Sequence, residues 1–133
     1  MDVQTPNTLP KKERLCGKTG IEKLLAKGRH GNVSDLRYIY LTGTEMPYNR
    51  ILVSVPKKFF KRAVKRNLIK RRVRESYRLN KEVLAAPQGY RTNVLFVYIS
   101  KEIKEYAYIE ERLKGAMELV SQRKTKDNRN NGN

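Results

Sequence analysis

Hydrophobic residues alternate with other residues in two early stretches of the chain, and this two-residue period predicts β-strands. In residues 36–41, Leu36, Tyr38 and Tyr40 point to one side of the predicted strand and the intervening residues to the other. Residues 50–55 are rich in Ile, Leu and Val and predict a second strand. Because only a loop containing one proline separates these strands, we expect them to form an antiparallel hairpin.

A later stretch, NVLFVYI at residues 93–99, is almost continuously apolar, which is typical of a strand buried on both faces. A helical segment separates it from the strand at 50–55, and this β-α-β order favours parallel pairing of the two strands. A further short strand at Asn32 and Val33 is expected at an edge of the sheet.

Hydrophobic residues with a helical period predict the remaining elements. A first helix follows Thr19, contains Ile21, Leu24 and Leu25, and ends at Gly28 after about eight to ten residues. A last helix at 108–123 has an apolar face formed by Ile109, Leu113, Ala116, Met117 and Val120. With the central helix described next, these elements predict an α+β fold, a small mixed sheet with about three helices.

Residues 57–78, KKFFKRAVKRNLIKRRVRESYR, are predicted to form the central helix, which begins just after Pro56 and has about five to six turns. Eleven of the 30 Lys and Arg residues lie in this segment, together with a single acid, Glu75. More than half of the net charge of +17 is therefore concentrated in one helix.

Five basic residues of this helix recur at intervals of four and form one continuous ridge: Arg62, Arg66, Lys70, Arg74 and Arg78. Like charges at this spacing destabilise an isolated helix by roughly 1–2 kcal/mol in total. A surface that only contacts solvent would contain acids among the bases, and this one has almost none. The ridge therefore predicts binding to a polyanion, with the phosphates of a nucleic acid as the simplest choice.

The length of 133 residues and a pI of about 10.2 indicate one domain that binds nucleic acid rather than a metabolic enzyme. We expect a flexible arm at 1–12, a single α/β domain at 13–123 that binds nucleic acid, and a disordered, basic and Asn-rich tail at 124–133. The single cysteine, Cys16, excludes an internal disulfide and is expected to be a partly buried side chain. Neither a signal peptide nor a long apolar span is recognisable, which favours the cytoplasm.

The residues needed for catalysis by the protein alone are missing from the sequence. His30 is the single histidine, and no DxD, HxH or CxxC grouping is present. Glu110 and Glu111 are adjacent on a helix, where neighbours diverge by about 100°, so they cannot both face one ion. We therefore expect no catalytic residue and no metal site in the protein itself.

The segment AVKRNLIKRRVRE at residues 63–75 resembles the signature of the protein subunit of bacterial ribonuclease P, which has the form A-V-x-R-N-x-x-K-R. The pair Arg14-Leu15, the helix ending at Gly28 and the strand SVPKK at 54–58 follow the order of the family. The resemblance covers approximately residues 14–123. It implies a two-layer α/β sandwich whose β-α-β crossover is shared with a domain of a ribosomal protein.

The resemblance also implies a function as an endoribonuclease subunit. In this family the RNA subunit performs the hydrolysis with Mg²⁺ that it largely holds itself, and it removes the 5′ leader of precursor tRNA. The implied partners are the ribonuclease P RNA, in a one-to-one complex, and precursor tRNA; no organic cofactor, membrane or DNA is implied. The protein would assist by preferring precursor, which has a leader, over the product, which has none.

The resemblance assigns two groups of site residues. The first contacts the catalytic RNA and consists of Arg66, Asn67, Lys70 and Arg71 of the motif, supplemented by Arg62 and Arg74 of the ridge. Arg72 and Lys65 are expected to project elsewhere, into solvent. The second group lines a cleft for the leader and consists of Tyr38 or Tyr40, whose rings could stack on an unpaired base, with Lys57, Lys58, Ile21 and Leu25. The last two stand where family members often have phenylalanines.

Two other functions fit part of the pattern. A noncatalytic RNA-binding protein of the ribosomal type would explain the charge and the helix, but not the specific motif at 63–75. A helix-turn-helix DNA-binding protein is disfavoured, because strands bracket the basic helix and no short helix precedes it.

Overall fold

The computed structural model describes residues 13–15, 18–42, 49–84 and 91–131, with side chains up to residue 122. The predicted arm at 1–12, Cys16 and the chain break at 86–89 lie outside the described residues. In chain order the elements are α1 (Lys18–Lys27), β1 (Arg29–Val33), β2 (Leu36–Thr42), β3 (Arg50–Ser54), α2 (Ala63–Asn80), a 3₁₀ turn (Lys81–Val83), β4 (Thr92–Tyr98) and α3 (Tyr106–Asn131). The predicted α+β class is confirmed.

The four strands form one sheet in the order β1-β2-β4-β3. The predicted edge strand is confirmed as β1, and the predicted parallel pairing is confirmed between β3 and β4. The predicted hairpin between β2 and β3 is wrong, because β4 lies between them and pairs antiparallel with β2. Nearly every residue of β4 is buried, because β2 and β3 flank its two edges and helices pack on both faces of the sheet.

The two faces of the sheet have different coverings. The main core lies between one face, which includes Tyr38, Tyr40 and Phe96, and helices α2 and α3. On the opposite face, Leu24 of α1 packs with Ile39 and Leu95 in a smaller cluster. Helix α1 therefore adds a partial third layer, and it covers its face of the sheet incompletely.

Helix α2 begins at Ala63, six residues later than predicted. A turn closed by the Phe59 amide donating to the Pro56 carbonyl (3.2 Å) precedes it. This turn inserts Phe60 into the core, where its ring centroid lies 6.3 Å from that of Tyr98. Burial of a large aromatic side chain thus outweighs the helix propensity of the basic residues around it.

The predicted stripe of Ile69, Val73 and Tyr77 is buried as expected. The other side of α2 is open to solvent at Val64, whose exposed fraction is 79%. Helix α2 therefore packs through one side, and its other side is open to a ligand.

Helix α3 continues to Asn131, past residue 124, where the sequence predicted that a disordered tail begins. No Gly or Pro occurs between Gly115 and Gly132, and Lys, Arg and Gln in this stretch favour a helix. Within the described residues, no helix has both the length and the apolar composition needed to cross a membrane.

Candidate nucleic-acid interface

The solvent side of α2 carries the centre of the basic motif. Asn67 and Arg71 are exposed and lie one turn apart, on the side opposite the buried Ile69 and Val73. No ion pair to Arg71 occurs in the part of the chain that the structure describes. Of the predicted RNA-contacting residues, these two and Arg62 are exposed.

Arg66 belongs to the same motif but is also bound within the protein. Its Nη1 donates to the carbonyl oxygens of Phe60 (2.7 Å) and Lys61 (2.8 Å). Both carbonyls lie in the turn that leads into α2, ahead of its first residue, Ala63. Arg66 therefore stabilises the entry to α2, and its half-buried guanidinium is only partly available to RNA.

Arg72 was predicted to project into solvent, and this prediction is wrong. It is half-buried, and its Nη1 donates to the carbonyl oxygen of Lys104 in the connection between β4 and α3. Arg72 thus holds α2 against this connection, whereas Lys65 is exposed as expected. Spacing on the helix could not reveal this contact, because Lys104 lies 32 residues further along the chain.

The basic ridge is not uniform along its length. Arg62 is exposed at the position before α2, and Lys70 and Arg74 are half-buried. At the far end, Arg78 forms an ion pair with Glu75 at 2.6 Å, so its charge is partly neutralised. Burial lowers the pKa of Arg74, and the nearby Arg14 guanidinium lowers it further. Among the ion pairs of the described residues, Arg78 is the one member of the ridge that is paired with an acid.

The structure contradicts the prediction that Tyr38 or Tyr40 stacks on a base. Each is only 1% exposed, because the side of β2 that carries both rings faces α2 and α3. Their ring centroids lie 6.3 Å apart inside the main core. The alternating pattern identified the two residues as sharing a side, but it could not show which side would be covered.

The other predicted cleft residues lie at or near the surface. Ile21 is half-buried against the small cluster beneath α1, and Leu25 is 51% exposed. Lys57 and Lys58 are exposed in the turn after β3, with the Lys58 Nζ 5.1 Å from the centroid of the Phe59 ring. The structure thus brings the two lysines to one end of the sheet and Ile21 and Leu25 to α1.

An open strip that the sequence pattern did not predict lies on the sheet face that α1 partly covers. The strand register aligns Asn32 with Arg37, Arg37 with Val97, and Val97 with Ser54. Asn32 and Arg37 are exposed, and Val97 and Ser54 are half-buried. Ser54 leads directly into the turn with Lys57 and Lys58, so the strip and the lysines are adjacent. The alternating pattern of β2 could have indicated this strip, because Arg37 is a polar residue on the side of the strand opposite Tyr38.

The described residues contain no group of three or more His, Cys, Asp and Glu side chains placed to hold a metal ion. His30 is exposed on edge strand β1, and Glu110 accepts hydrogen bonds from Asn80 and Tyr106.

Comparison with known proteins identifies the family. A family model described as Ribonuclease P matches residues 9–121. The chain belongs to the ribonuclease P protein family. The ribonuclease P protein component of Porphyromonas gingivalis is 40% identical over 115 residues, which cover 82% of this chain and 83% of the relative. That of Petrotoga mobilis is 43% identical over 95 residues, 71% of this chain and 74% of the relative.

Solved structures of ribonuclease P proteins have the same fold. The protein from Thermotoga maritima superposes with a TM-score of 0.66 at 25% identity, covering 80% of this chain and 96% of that one. The protein from Staphylococcus aureus, solved at 2.0 Å, gives a TM-score of 0.68 at 20% identity, covering 81% and 94%. At 20% identity, the similarity to the Staphylococcus aureus protein concerns the fold alone.

Membership of the ribonuclease P protein family confirms the function predicted from the motif. The chain is the protein subunit of an endoribonuclease holoenzyme whose catalysis lies in the RNA, and it takes part in tRNA processing. The alternative of a noncatalytic ribosomal-type protein is not favoured.

Proposed function

We propose that this ribonuclease P protein binds the ribonuclease P RNA through the solvent side of α2 and holds the 5′ leader of precursor tRNA on the open strip. The observation that supports the proposal is the pair Asn67 and Arg71, which are exposed on the side of α2 opposite its buried residues. Arg71 suits paired hydrogen bonds to phosphate oxygens, and Asn67 offers a donor and an acceptor to a base or ribose.

Electrostatics supports an RNA ligand for α2. In the segment 57–78, Glu75 is the single acid, and Arg78 binds it. The other cations therefore repel one another until counterions or phosphates surround them. Contacts to RNA phosphates would release those counterions, so we expect the affinity to fall steeply as salt rises.

The open strip suits a single strand that is held by polar contacts. Arg37 and Asn32 are exposed on it, Ser54 adds a hydroxyl, and Lys57 and Lys58 supply two charges at its end. Because Tyr38 and Tyr40 are buried, stacking on tyrosine makes no contribution in this proposal. We expect the leader to be bound mainly through its backbone, with weak dependence on base identity.

In this proposal the protein acts through differential affinity. Only precursor tRNA has a leader to occupy the strip, so the complex binds precursor more tightly than product. Mg²⁺ supplies the Lewis acid and activated water of the hydrolysis, and we propose that the RNA holds most of it in a one-to-one complex in the cytoplasm.

Binding measurements with matched variants test the two surfaces separately. We expect Arg71→Ala to weaken binding to the ribonuclease P RNA and to reduce the slope of log K against log salt by about 1. We expect Arg37→Ala, and Lys57→Ala with Lys58→Ala, to reduce the preference of the holoenzyme for precursor over leaderless tRNA. Lys114→Ala, an exposed lysine on α3, serves as the control for loss of one charge.

Two outcomes would contradict the proposal. If the Arg71→Ala protein binds the RNA as tightly as Lys114→Ala does, the solvent side of α2 is not the RNA-binding surface. If the preference for precursor is unchanged in both the Arg37 and the double-lysine variants, the leader does not bind on the strip.

A further inference from the structure

The solvent side of α2 carries a large apolar side chain in its first turn. Val64 has an exposed fraction of 79%, the highest among the large apolar side chains of the described residues, and Leu25 follows with 51%. Nine residues of helix turn through about 900°, so Val64 points directly away from the buried Val73. A β-branched residue at an exposed helix position also lowers helix propensity relative to Ala. Folding of the chain therefore gives no reason for an apolar side chain here.

Leu68 extends this apolar surface by one turn. It follows Val64 by four residues, and residues at that spacing are neighbours on a helix surface. Leu68 is half-buried and belongs to neither of the two hydrophobic clusters in the described residues. The exposed Asn67 and Arg71 follow Val64 by three and seven residues, so they lie on the same side of α2. The apolar pair Val64 and Leu68 thus lies among the polar residues of the motif.

The first turn of α2, which carries Val64, is held in a fixed position. The Arg66 Nη1 donates to the carbonyl oxygens of Phe60 (2.7 Å) and Lys61 (2.8 Å), and these bonds connect the helix to the turn before it. Within a helix, the branched side chain of Val has one strongly preferred rotamer. A contact through Val64 therefore costs little conformational entropy, because backbone and side chain are already ordered.

The charges around the apolar pair indicate the class of ligand. Four exposed cations lie within seven residues of Val64 in sequence: Lys61, Arg62, Lys65 and Arg71. Glu75, the single acid of residues 57–78, is bound by Arg78. An apolar protein surface would bury such cations without counter-charges, which is costly. RNA offers phosphates beside ribose carbons, and the wide, shallow minor groove of an A-form helix displays the riboses to a protein.

We propose that Val64 and Leu68 contact the riboses of a helical segment of the ribonuclease P RNA, in its shallow minor groove. This inference rests on the proposed binding of that RNA to α2, and it adds an apolar contact to the cations of the motif. Arg71 and the neighbouring cations bind phosphates, whereas Val64 and Leu68 bury sugar carbons. The apolar contact releases no counterions, so its contribution to affinity does not depend on salt.

The first test replaces Val64 and measures binding of the full-length protein to the ribonuclease P RNA. Each CH₂ group lost from a buried contact weakens binding by a factor of about 4, so Val64→Ala, which lacks two carbons, should bind about 10-fold more weakly. Val64→Thr keeps the shape and exchanges a methyl group for a hydroxyl, and it should bind at least about 4-fold more weakly. Both variants should keep the wild-type slope of log K against log salt, whereas Arg71→Ala lowers it by about 1.

Inorganic polyphosphate is the second probe, because it carries phosphates but no sugars. We expect Arg71→Ala to bind both polyphosphate and the RNA more weakly than the wild type, and Val64→Thr to bind only the RNA more weakly. Thermal unfolding shows that the variants are folded, and Val64→Ala should melt at or above the wild-type temperature because Ala favours the helix.

Leu68→Gln extends the test to the second residue of the pair, and we expect it to weaken binding to the RNA with an unchanged salt slope. Leu119→Gln is its matched control, since Leu119 is an exposed leucine on α3. This control should bind the RNA as tightly as the wild type does.

Three results would overturn the inference. Wild-type RNA affinity in both Val64→Ala and Val64→Thr would place Val64 outside the RNA interface, and this result is expected if that side of α2 binds another protein. Equal weakening of Val64→Thr with polyphosphate and RNA would show that Val64 only positions the cations. A Leu68→Gln protein that binds like Leu119→Gln would exclude Leu68. Failure of the proposed function is different, because the folded wild-type protein would then not bind the ribonuclease P RNA at all.

Discussion

Adjacent arginines of α2 have different surroundings and should therefore have different roles. Arg71 is exposed, whereas Arg72 is half-buried and bonded to the Lys104 carbonyl. We predict that Arg72→Ala lowers the free energy of unfolding by about 1–2 kcal/mol, because it removes a charge-assisted hydrogen bond. Arg71→Ala should change stability by less than about 0.5 kcal/mol. Urea unfolding of both variants checks this, and equal stabilities would contradict it.

The two arginines also separate stability from RNA binding. At a temperature where both variants are folded, Arg71→Ala should lose more affinity for the ribonuclease P RNA than Arg72→Ala. A larger loss of affinity in Arg72→Ala than in Arg71→Ala would mean that Arg72 exchanges its bond to the Lys104 carbonyl for a contact with RNA in the complex.

Tyr40 gives a residue-level test of the corrected leader site. Its hydroxyl is buried and has no hydrogen-bond partner in the part of the chain that the structure describes. Removing an unsatisfied buried hydroxyl should leave stability unchanged or raise it by up to about 1–3 kcal/mol, so Tyr40→Phe should be tolerated. The preference for precursor over leaderless tRNA should not change.

Tyr98→Phe is the matched control for Tyr40→Phe. The Tyr98 hydroxyl donates to the Glu102 carbonyl at 2.6 Å and accepts from the Lys104 amide at 3.2 Å. Its removal should lower the melting temperature. Loss of precursor preference in a folded Tyr40→Phe protein would show that the ring reaches the leader after all.

At the scale of elements, the edge strand β1 depends on a close approach to β2. A Cβ added to Gly31 would lie 2.1 Å from Cζ of Tyr38, whose ring is buried. We predict that Gly31→Ala destabilises the protein by about 1–3 kcal/mol, because the Tyr38 ring must move within a packed core. Thermal or urea unfolding measures the loss.

Gly115 in α3 is the matched glycine for this comparison. The nearest atom to its added Cβ is Cγ1 of Val33 at 3.8 Å, an ordinary contact. In a helix interior, Ala is favoured over Gly by up to about 1 kcal/mol, so Gly115→Ala should stabilise the protein. A Gly31→Ala protein as stable as Gly115→Ala would contradict the described packing of Tyr38.

The sequence predicted these elements well where the signal is local. The helical period of Ile69, Val73 and Tyr77 and the alternation along β2 depend only on neighbouring residues, and both are confirmed. The start of α2 depends on the core position of Phe60, a contact with Tyr98 that spans 38 residues and leaves no local pattern. The position of β4 between β2 and β3 is likewise a long-range pairing.

The candidate site could be predicted only where its residues follow a local sequence pattern. Asn67 and Arg71 were found because the motif and the helical period agree, and they are exposed. The leader residues were misplaced because apolar residues occupy both sides of β2, with Tyr40 on one and Ile39 on the other. Only the packing of the helices determines which side stays open.

At the scale of the whole molecule, stability should fall at high pH because of Tyr77. Burial, and secondarily the Glu13 carboxylate, raises the pKa of Tyr77 well above its ordinary value of 10.0. The unfolded chain then releases a proton above about pH 10 that the folded protein retains. The contribution of Tyr77 is therefore full below pH 10 and decreases above it, by up to about 1.4 kcal/mol per pH unit.

Tyr77→Phe removes this titration. Urea unfolding between pH 9 and pH 11.5 should show a shallower decrease of stability with pH in the variant than in the wild type. Parallel curves for the two proteins would contradict a neutral, buried Tyr77 in the folded state.

Helix α2 is proposed to bind the catalytic RNA, so that the protein assists cleavage. The most direct test is single-turnover cleavage of precursor tRNA by the cognate ribonuclease P RNA at low Mg²⁺, with and without the protein. Asn67→Ala/Arg71→Ala is the variant to compare, since both residues are exposed and Arg66 has a structural role. We predict strong stimulation by the wild type, retained by Lys114→Ala and lost in the double variant. No stimulation by folded wild-type protein, or equal stimulation by the double variant, would contradict this role of α2.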